Sequence, residues 1–101
     1  MTVAWKQTAL DDRAGFLARA LERATEASDP QVYAAALDRD DRIEAEGDAL
    51  DGVATYLQGP LPDSRLYPTG DGLFVILYRR DGNTVEIERV FPSRSNWKPT
   101  R

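Results

Sequence analysis

The chain contains neither cysteine nor histidine. Disulfides, thiol nucleophiles, Ser-His triads, imidazole general bases and zinc sites built from thiolate or imidazole are therefore excluded. Lysine is scarce as well: only Lys6 and Lys98 occur, and neither follows glycine, so there is no phosphate loop of the Walker kind. Gly70-Asp71-Gly72 lacks the third glycine of a dinucleotide turn, and no motif calls for a cofactor. Long apolar runs are also missing. The longest, Leu73 to Tyr78, falls far short of the roughly 20 residues that span a bilayer. Asp11 and Asp12 stand where a leader would be apolar, so the expectation is a soluble, cytoplasmic chain without a membrane partner.

What is present suits one small globular domain over residues 1–101, with 42% hydrophobic and 9% aromatic residues. The formal charge is −4, which argues against indiscriminate phosphate binding by the whole surface. The charge is unevenly distributed. Residues 1–58 carry six basic and twelve acidic side chains, whereas residues 59–101 carry seven basic and five acidic. Any basic patch belongs to the second half.

Thr2 to Gln7 are β-prone and precede Thr8, the expected N-cap of a helix with Asp11 completing an acidic capping box. Leu10, Ala14, Leu17, Leu21 and Ala24 recur at steps of four and three, predicting an amphipathic helix ending near Ala27. Asp29-Pro30 starts a second helix, expected to run to about Leu57 on a stripe of Tyr33, Leu37, Ile43, Leu50, Ala54 and Leu57. Gly47 and Gly52 are expected to bend or break it. The Gln58-Gly59-Pro60-Leu61-Pro62-Asp63 stretch then separates the helical part from a β part.

Ser64 to Tyr67 read as a short strand. The clearest local signal follows, with Leu73 to Arg80 and Asn83 to Phe91 flanking Asp81-Gly82, a preferred two-residue hairpin turn. In that register Tyr78 faces Val85 and Ile76 faces Ile87 on the side turned to the helices. Leu73, Val75, Leu77 and Val90 fall on the other side, which nothing in the sequence obviously covers, and an uncovered apolar sheet face points to a partner. The predicted fold class is α+β: a short N-terminal strand, a two-helix hairpin, then a three-stranded antiparallel meander in one twisted sheet.

This order resembles the RelE/ParE toxins of bacterial type II toxin–antitoxin pairs. Ser64-Arg65-Leu66 is similar to that family's arginine-bearing short strand. Val75-Ile76-Leu77-Tyr78-Arg79 is similar to its apolar strand closing in Tyr-Arg, and Asp81 to Ile87 to its last hairpin. Asp40-Asp41-Arg42-Ile43 fits the second helix, and Arg89-Val90-Phe91 with Arg94 and Trp97 fits the closing strand and tail. The resemblance implies a growth-inhibiting toxin of the plasmid-stabilisation kind, with a cognate antitoxin seated on Leu73, Val75, Leu77 and Val90. It implies DNA gyrase or the ribosome as target, and contact with DNA only through the antitoxin.

Family members that cut mRNA on the ribosome place basic residues, and in some a His or Tyr, after the last strand. Here Pro92-Ser93-Arg94-Ser95-Asn96 holds neither His nor Tyr. Arg65, Arg79 and Arg94 are candidate catalytic cations, yet arginine stays protonated and makes a poor base. The expectation is therefore gyrase rather than the ribosome, with Arg94, Trp97 and Lys98 as target contacts. The alternatives are a ribosome-dependent nuclease and a non-toxic interaction module of the same fold.

Plainer readings stand beside these. The three arginines also suit solvated strand edges and tails. The acidic run from Asp38 to Asp48 lacks the spacing of a calcium loop and reads as a solvated helix face carrying an Asp38–Arg42 ion pair. Trp5 and Trp97 suit packing, and Tyr78 a core position with its hydroxyl at the sheet edge.

Overall fold

A computed structural model describes residues 2–94. Strand β1 (Thr2–Trp5) leads into helix α1 (Gln7–Ala27), and helix α2 (Pro30–Asp48) is followed by a 3-10 turn at Leu50–Gly52. Strands β2 (Leu57–Gln58), β3 (Ser64–Pro68), β4 (Phe74–Asp81) and β5 (Thr84–Pro92) complete the chain. They form one mixed sheet in the order β1-β5-β4-β3-β2, with β1 parallel to β5 and the other pairs antiparallel. The α+β class, the helical hairpin and the three-stranded meander are as expected. β2 is additional, a two-residue edge strand in a stretch whose prolines mask any strand signal.

The helix joint follows its sequence signals. Ser28 takes the left-handed conformation at φ 51° and closes α1, its N–H donating to the Ala24 and Thr25 carbonyls. The Asp29 carboxylate then accepts from the Gln31 N–H with Pro30 in the first turn of α2. The start of α1 differs from expectation. Lys6 is the N-cap and makes no side-chain cap. The Thr8 hydroxyl instead donates to the Glu88 carbonyl at 2.6 Å, tying α1 to β5.

The buried stripe of α1 is also rotated from the expected one. Ala9, Ala20 and Ala24 are buried, while Leu10 and Leu21 are 40% and 51% exposed. The position between Ala9 and Phe16 on that stripe belongs to Arg13, placed off the stripe by its charge. Its guanidinium is acceptable there because Asp40 on α2 accepts from it at 2.8 and 2.9 Å and the Trp5 ring lies beneath it, 4.7 Å to the centroid. Asp40 holds the Arg13 guanidinium even more firmly charged than usual, against the opposing effect of burial.

The second helix ends at Asp48 rather than near Leu57. Gly47 does not break it. A Cβ there would collide with the Trp5 ring, so this glycine lets β1 close onto α2. The Trp5 indole N–H then donates to Asp48 at 2.9 Å.

The hairpin register differs from the expected one in two steps. Asp81 pairs with Thr84, so the two loop residues are Gly82 and Asn83, and only Gly82 has positive φ (59°), the pattern of a type II′ turn. This shift of two residues keeps each side chain on its expected face, and Ile76, Tyr78, Val85 and Ile87 join Ala9 and Ile43 in the helix-facing core. A bulge beside Leu77/Tyr78 then offsets the pairing by one residue, so that Leu77 meets Arg89 and Ile76 meets Val90. Val90 consequently lies in the helix-facing core, 1% exposed, not on the second face.

Candidate functional site

The second face carries Leu66 from β3, Val75 and Leu77 from β4, and Phe91 from β5. Among the described residues this cluster draws on strands alone, whereas the first face draws on both helices. The sequence suggested an open face, but this one is closed. Leu66, Val75 and Leu77 are only 5–6% exposed, and Phe91 is half-buried. Leu73 precedes β4 in the tight turn after Thr69 and remains 43% exposed. Of the four residues expected to take an antitoxin, Val75 and Leu77 share this face, Leu73 lies at its approach and Val90 is on the opposite side.

The candidate cations divide as well. Arg65 and Arg79 come together in a cleft of about 570 Å³ at the Gly82 end of the sheet, with Arg80 and Tyr56 beside them. Strand pairing places Arg65 opposite Tyr78 on the helix-facing side and Ser64 opposite Arg79 on the other face, so the two arginines reach the cleft from opposite sides of the sheet. Arg94 is exposed just after β5 and does not line the cleft, and Trp97 and Lys98 lie outside the described residues.

Each arginine of the cleft is held differently. Arg79 donates from Nε to Glu88 at 3.0 Å and from Nη1 to the Pro62 carbonyl at 3.4 Å. Arg80 donates to the Asp51 carbonyl in the 3-10 turn at 3.2 and 3.3 Å. Arg65 lies flat on the Tyr56 ring, 3.9 Å to the centroid, and no carboxylate stands within ion-pair distance of it among the described residues. Asp63, Asp81 and Glu86 line the same cleft, so its formal charge is balanced. Tyr78 is fully buried beside it. Its hydroxyl has no hydrogen-bond partner of good geometry, and burial raises its pKa while the charge and side-chain hydrogen bonding of the neighbouring Arg65 work in the opposite sense.

The sequence reading missed Tyr56, Arg80 and the stranded Tyr78 hydroxyl. The Arg79-Arg80 doublet before the hairpin was a usable signal. Tyr56 sits in an irregular segment and gave none.

The acidic run on α2 is solvent-facing at Asp38, Asp41, Glu44 and Asp48, as expected, but several of its carboxylates also hold other elements. Asp40 and Glu44 hold Arg13, Asp48 holds Trp5, and Glu46 accepts from the Tyr67 hydroxyl and the Gly70 N–H, both at 2.9 Å. Arg42 pairs with Glu46 at 3.4 Å, not with Asp38. No group of three acidic side chains is arranged to hold a metal ion among the described residues, and no helix there is long and apolar enough to cross a membrane.

No family model matches this chain, and no curated relative does. Among solved structures, a chain described as the chromosomal ParDE toxin–antitoxin system from P. aeruginosa superposes with a TM-score of 0.70. The match covers 91% of this chain and 95% of that one at 19% identity. The fold of this chain is thus that of a chain from a ParDE toxin–antitoxin system, as its resemblance to the RelE/ParE toxins implied.

Proposed function

We propose that the protein is the toxin of a type II toxin–antitoxin pair, acting in the bacterial cytoplasm, and that a cognate antitoxin neutralises it. The observation that carries this reading is the agreement of the whole fold, helices and meander together, with the ParDE chain. Fold alone does not fix activity. Support for an antitoxin seat is confined to the rim of the second face, where Leu73 is 43% exposed beside the Leu66, Val75 and Leu77 cluster, which is itself already buried. An amphipathic segment docking at that rim buries its apolar side against Leu73.

For the target, DNA gyrase is favoured over the ribosome. The cleft that gathers Arg65 and Arg79 holds as many carboxylates as guanidiniums, which opposes a run of RNA phosphates, and the chain has no imidazole to accept a 2′-hydroxyl proton. The exposed Arg94 belongs to the cationic second half of the sequence and suits a negatively charged gyrase–DNA complex.

Expression of the chain alone is expected to stop growth, and co-expression of the product of a neighbouring small acidic gene to restore it. Purified protein is expected to inhibit gyrase supercoiling and to leave ribosome-bound message uncut. Codon-phased cuts in primer extension, lost in Arg65→Ala, overturn the gyrase assignment. Harmless expression together with inactivity in both assays overturns the toxin reading in favour of an interaction module. Leu73→Glu is the suitable probe of the antitoxin seat, because this side chain is exposed and tolerates charge in the free protein, whereas Leu77→Glu strikes a buried position.

A further inference from the structure

We propose that the residues following Arg94 form a strap that returns across the second sheet face with Trp97 seated on Leu66, Val75 and Leu77, so that a partner gains this face only by displacing it. The proposal is independent of the toxin reading. Its first observation is a burial that the sheet cannot produce by itself. A sheet face is kept from water where another layer packs on it. The helices supply that layer on the first face, whereas the described residues that meet the second cluster come from strands alone. Yet Leu66, Val75 and Leu77 are only 5–6% exposed. Neighbours within one sheet flank a side chain and leave its tip open, so the cover comes from elsewhere. This burial belongs to a single chain, so no second copy supplies it.

The second observation is where the burial stops. Leu57 on β2 lies directly opposite Leu66, hence on the same face, and is 56% exposed. The dry patch thus runs from Phe91 on β5 over β4 to β3 and ends before β2. A cover entering from the β5 side has that outline, and β5 is the last described strand. Its exit is fixed close to the cluster, where the Ser93 N–H donates to the Leu73 carbonyl at 2.9 Å and the Ser93 hydroxyl to the Gly72 carbonyl at 2.7 Å. Three extended residues, from Arg94 to Trp97, span about 10 Å, close to two inter-strand spacings of about 4.8 Å each. Trp97 is the one large apolar side chain after Phe91 in the sequence. A tryptophan buries about 150–250 Å², enough to lie over neighbouring side chains of two strands. Of the two readings that the sequence allows Trp97, target contact and packing residue, the strap selects packing.

The test uses the full chain, by nuclear magnetic resonance with its methyl groups assigned. Cross-peaks between the Trp97 indole and the methyl groups of Leu66, Val75 and Leu77 are expected, with those methyl signals shifted upfield by the ring. A mixture of labelled and unlabelled chains is expected to show none of these cross-peaks between molecules. In Trp97→Ala the upfield shifts are expected to vanish, and the apolar-surface dye ANS is expected to gain fluorescence that it lacks with the parent. Indole cross-peaks that are absent, or that fall on other residues, overturn the proposal. Intermolecular cross-peaks overturn it by giving the face to a second copy. Unchanged methyl shifts in Trp97→Ala overturn it, as does dye binding by the parent as strong as by the variant. Should Trp97→Ala fail to fold, the spectra of the parent chain decide.

Discussion

At the Trp5 corner the Arg13 guanidinium lies over an indole ring and donates two hydrogen bonds to Asp40, whereas at the hairpin end the Arg65 guanidinium lies over a phenol ring with no carboxylate in reach. Both cations are stacked, and their edges differ. The edge of Arg13 is saturated by α2, so its charge serves to join β1, α1 and α2. The edge of Arg65 meets no carboxylate among the described residues and lies against the buried Tyr78 hydroxyl, which has no partner of good geometry. A guanidinium paired with a carboxylate ties elements together, whereas one held by a ring alone ties little.

Removing the two guanidiniums in turn gives the largest expected contrast. Arg13→Met strands the half-buried Asp40 carboxylate and is expected to cost about 2–4 kcal/mol in urea unfolding, near the low end for breaking a buried pair. Arg65→Met leaves no carboxylate behind and is expected to cost below about 1 kcal/mol, the worth of an exposed cation–π contact. Equal losses would break the comparison. Gly47→Ala attacks the saturated corner from another side. Its new Cβ meets the Trp5 ring, and overpacking of this kind is expected to cost about 1–3 kcal/mol, with a changed near-ultraviolet signal from Trp5.

The contrast sharpens at Tyr78, where removing an atom is expected to help. Its hydroxyl is buried and unpartnered, so Tyr78→Phe is expected to raise stability by about 0.5–1 kcal/mol, read as a higher urea midpoint. A loss of stability would mean that the hydroxyl is satisfied in solution and that the hairpin end is as saturated as the Trp5 corner.

The two corners were not equally legible in the sequence. The elements themselves were, because Asp29-Pro30, the Gly82 turn and the β-branched runs of β4 and β5 act locally. What escaped was long-range. Arg13 occupies a core stripe only because Asp40 and Trp5 arrive from other elements, and a pattern of apolar spacing reads any arginine as solvent-facing. The bulge beside Leu77/Tyr78 moved Val90 to the other face, since one extra residue reverses every side chain beyond it. Gly47 looked like a helix breaker because its reason is an indole forty-two residues away. Arg65 and Arg79 were legible as isolated cations, but the meeting of Arg65 with Tyr56 and Tyr78 depends on strand pairing and on the course of the 53–63 loop.

The turn after β3 lies between the two extremes, its charges paired but near solvent, and the smallest expected effect belongs there. Glu46 accepts from the Gly70 N–H, and Asp71 accepts from the Thr69 hydroxyl at 2.6 Å and from the Leu73 N–H at 3.0 Å. Burial alone would raise the Asp71 carboxyl, but these hydrogen bonds, with Arg42 at 3.7 Å, hold it below its ordinary value of 3.8. The unfolded chain therefore takes up this proton at higher pH than the folded one. The stabilisation is present above about pH 4 and is lost as pH falls through the folded value. Asp71→Asn removes that dependence, so urea midpoints measured at neutral pH and near pH 3 are expected to differ less in the variant than in the parent. An undiminished acid slope would show that this carboxylate is as unengaged as the fork of Arg65, and would place the turn with the hairpin end instead of the Trp5 corner.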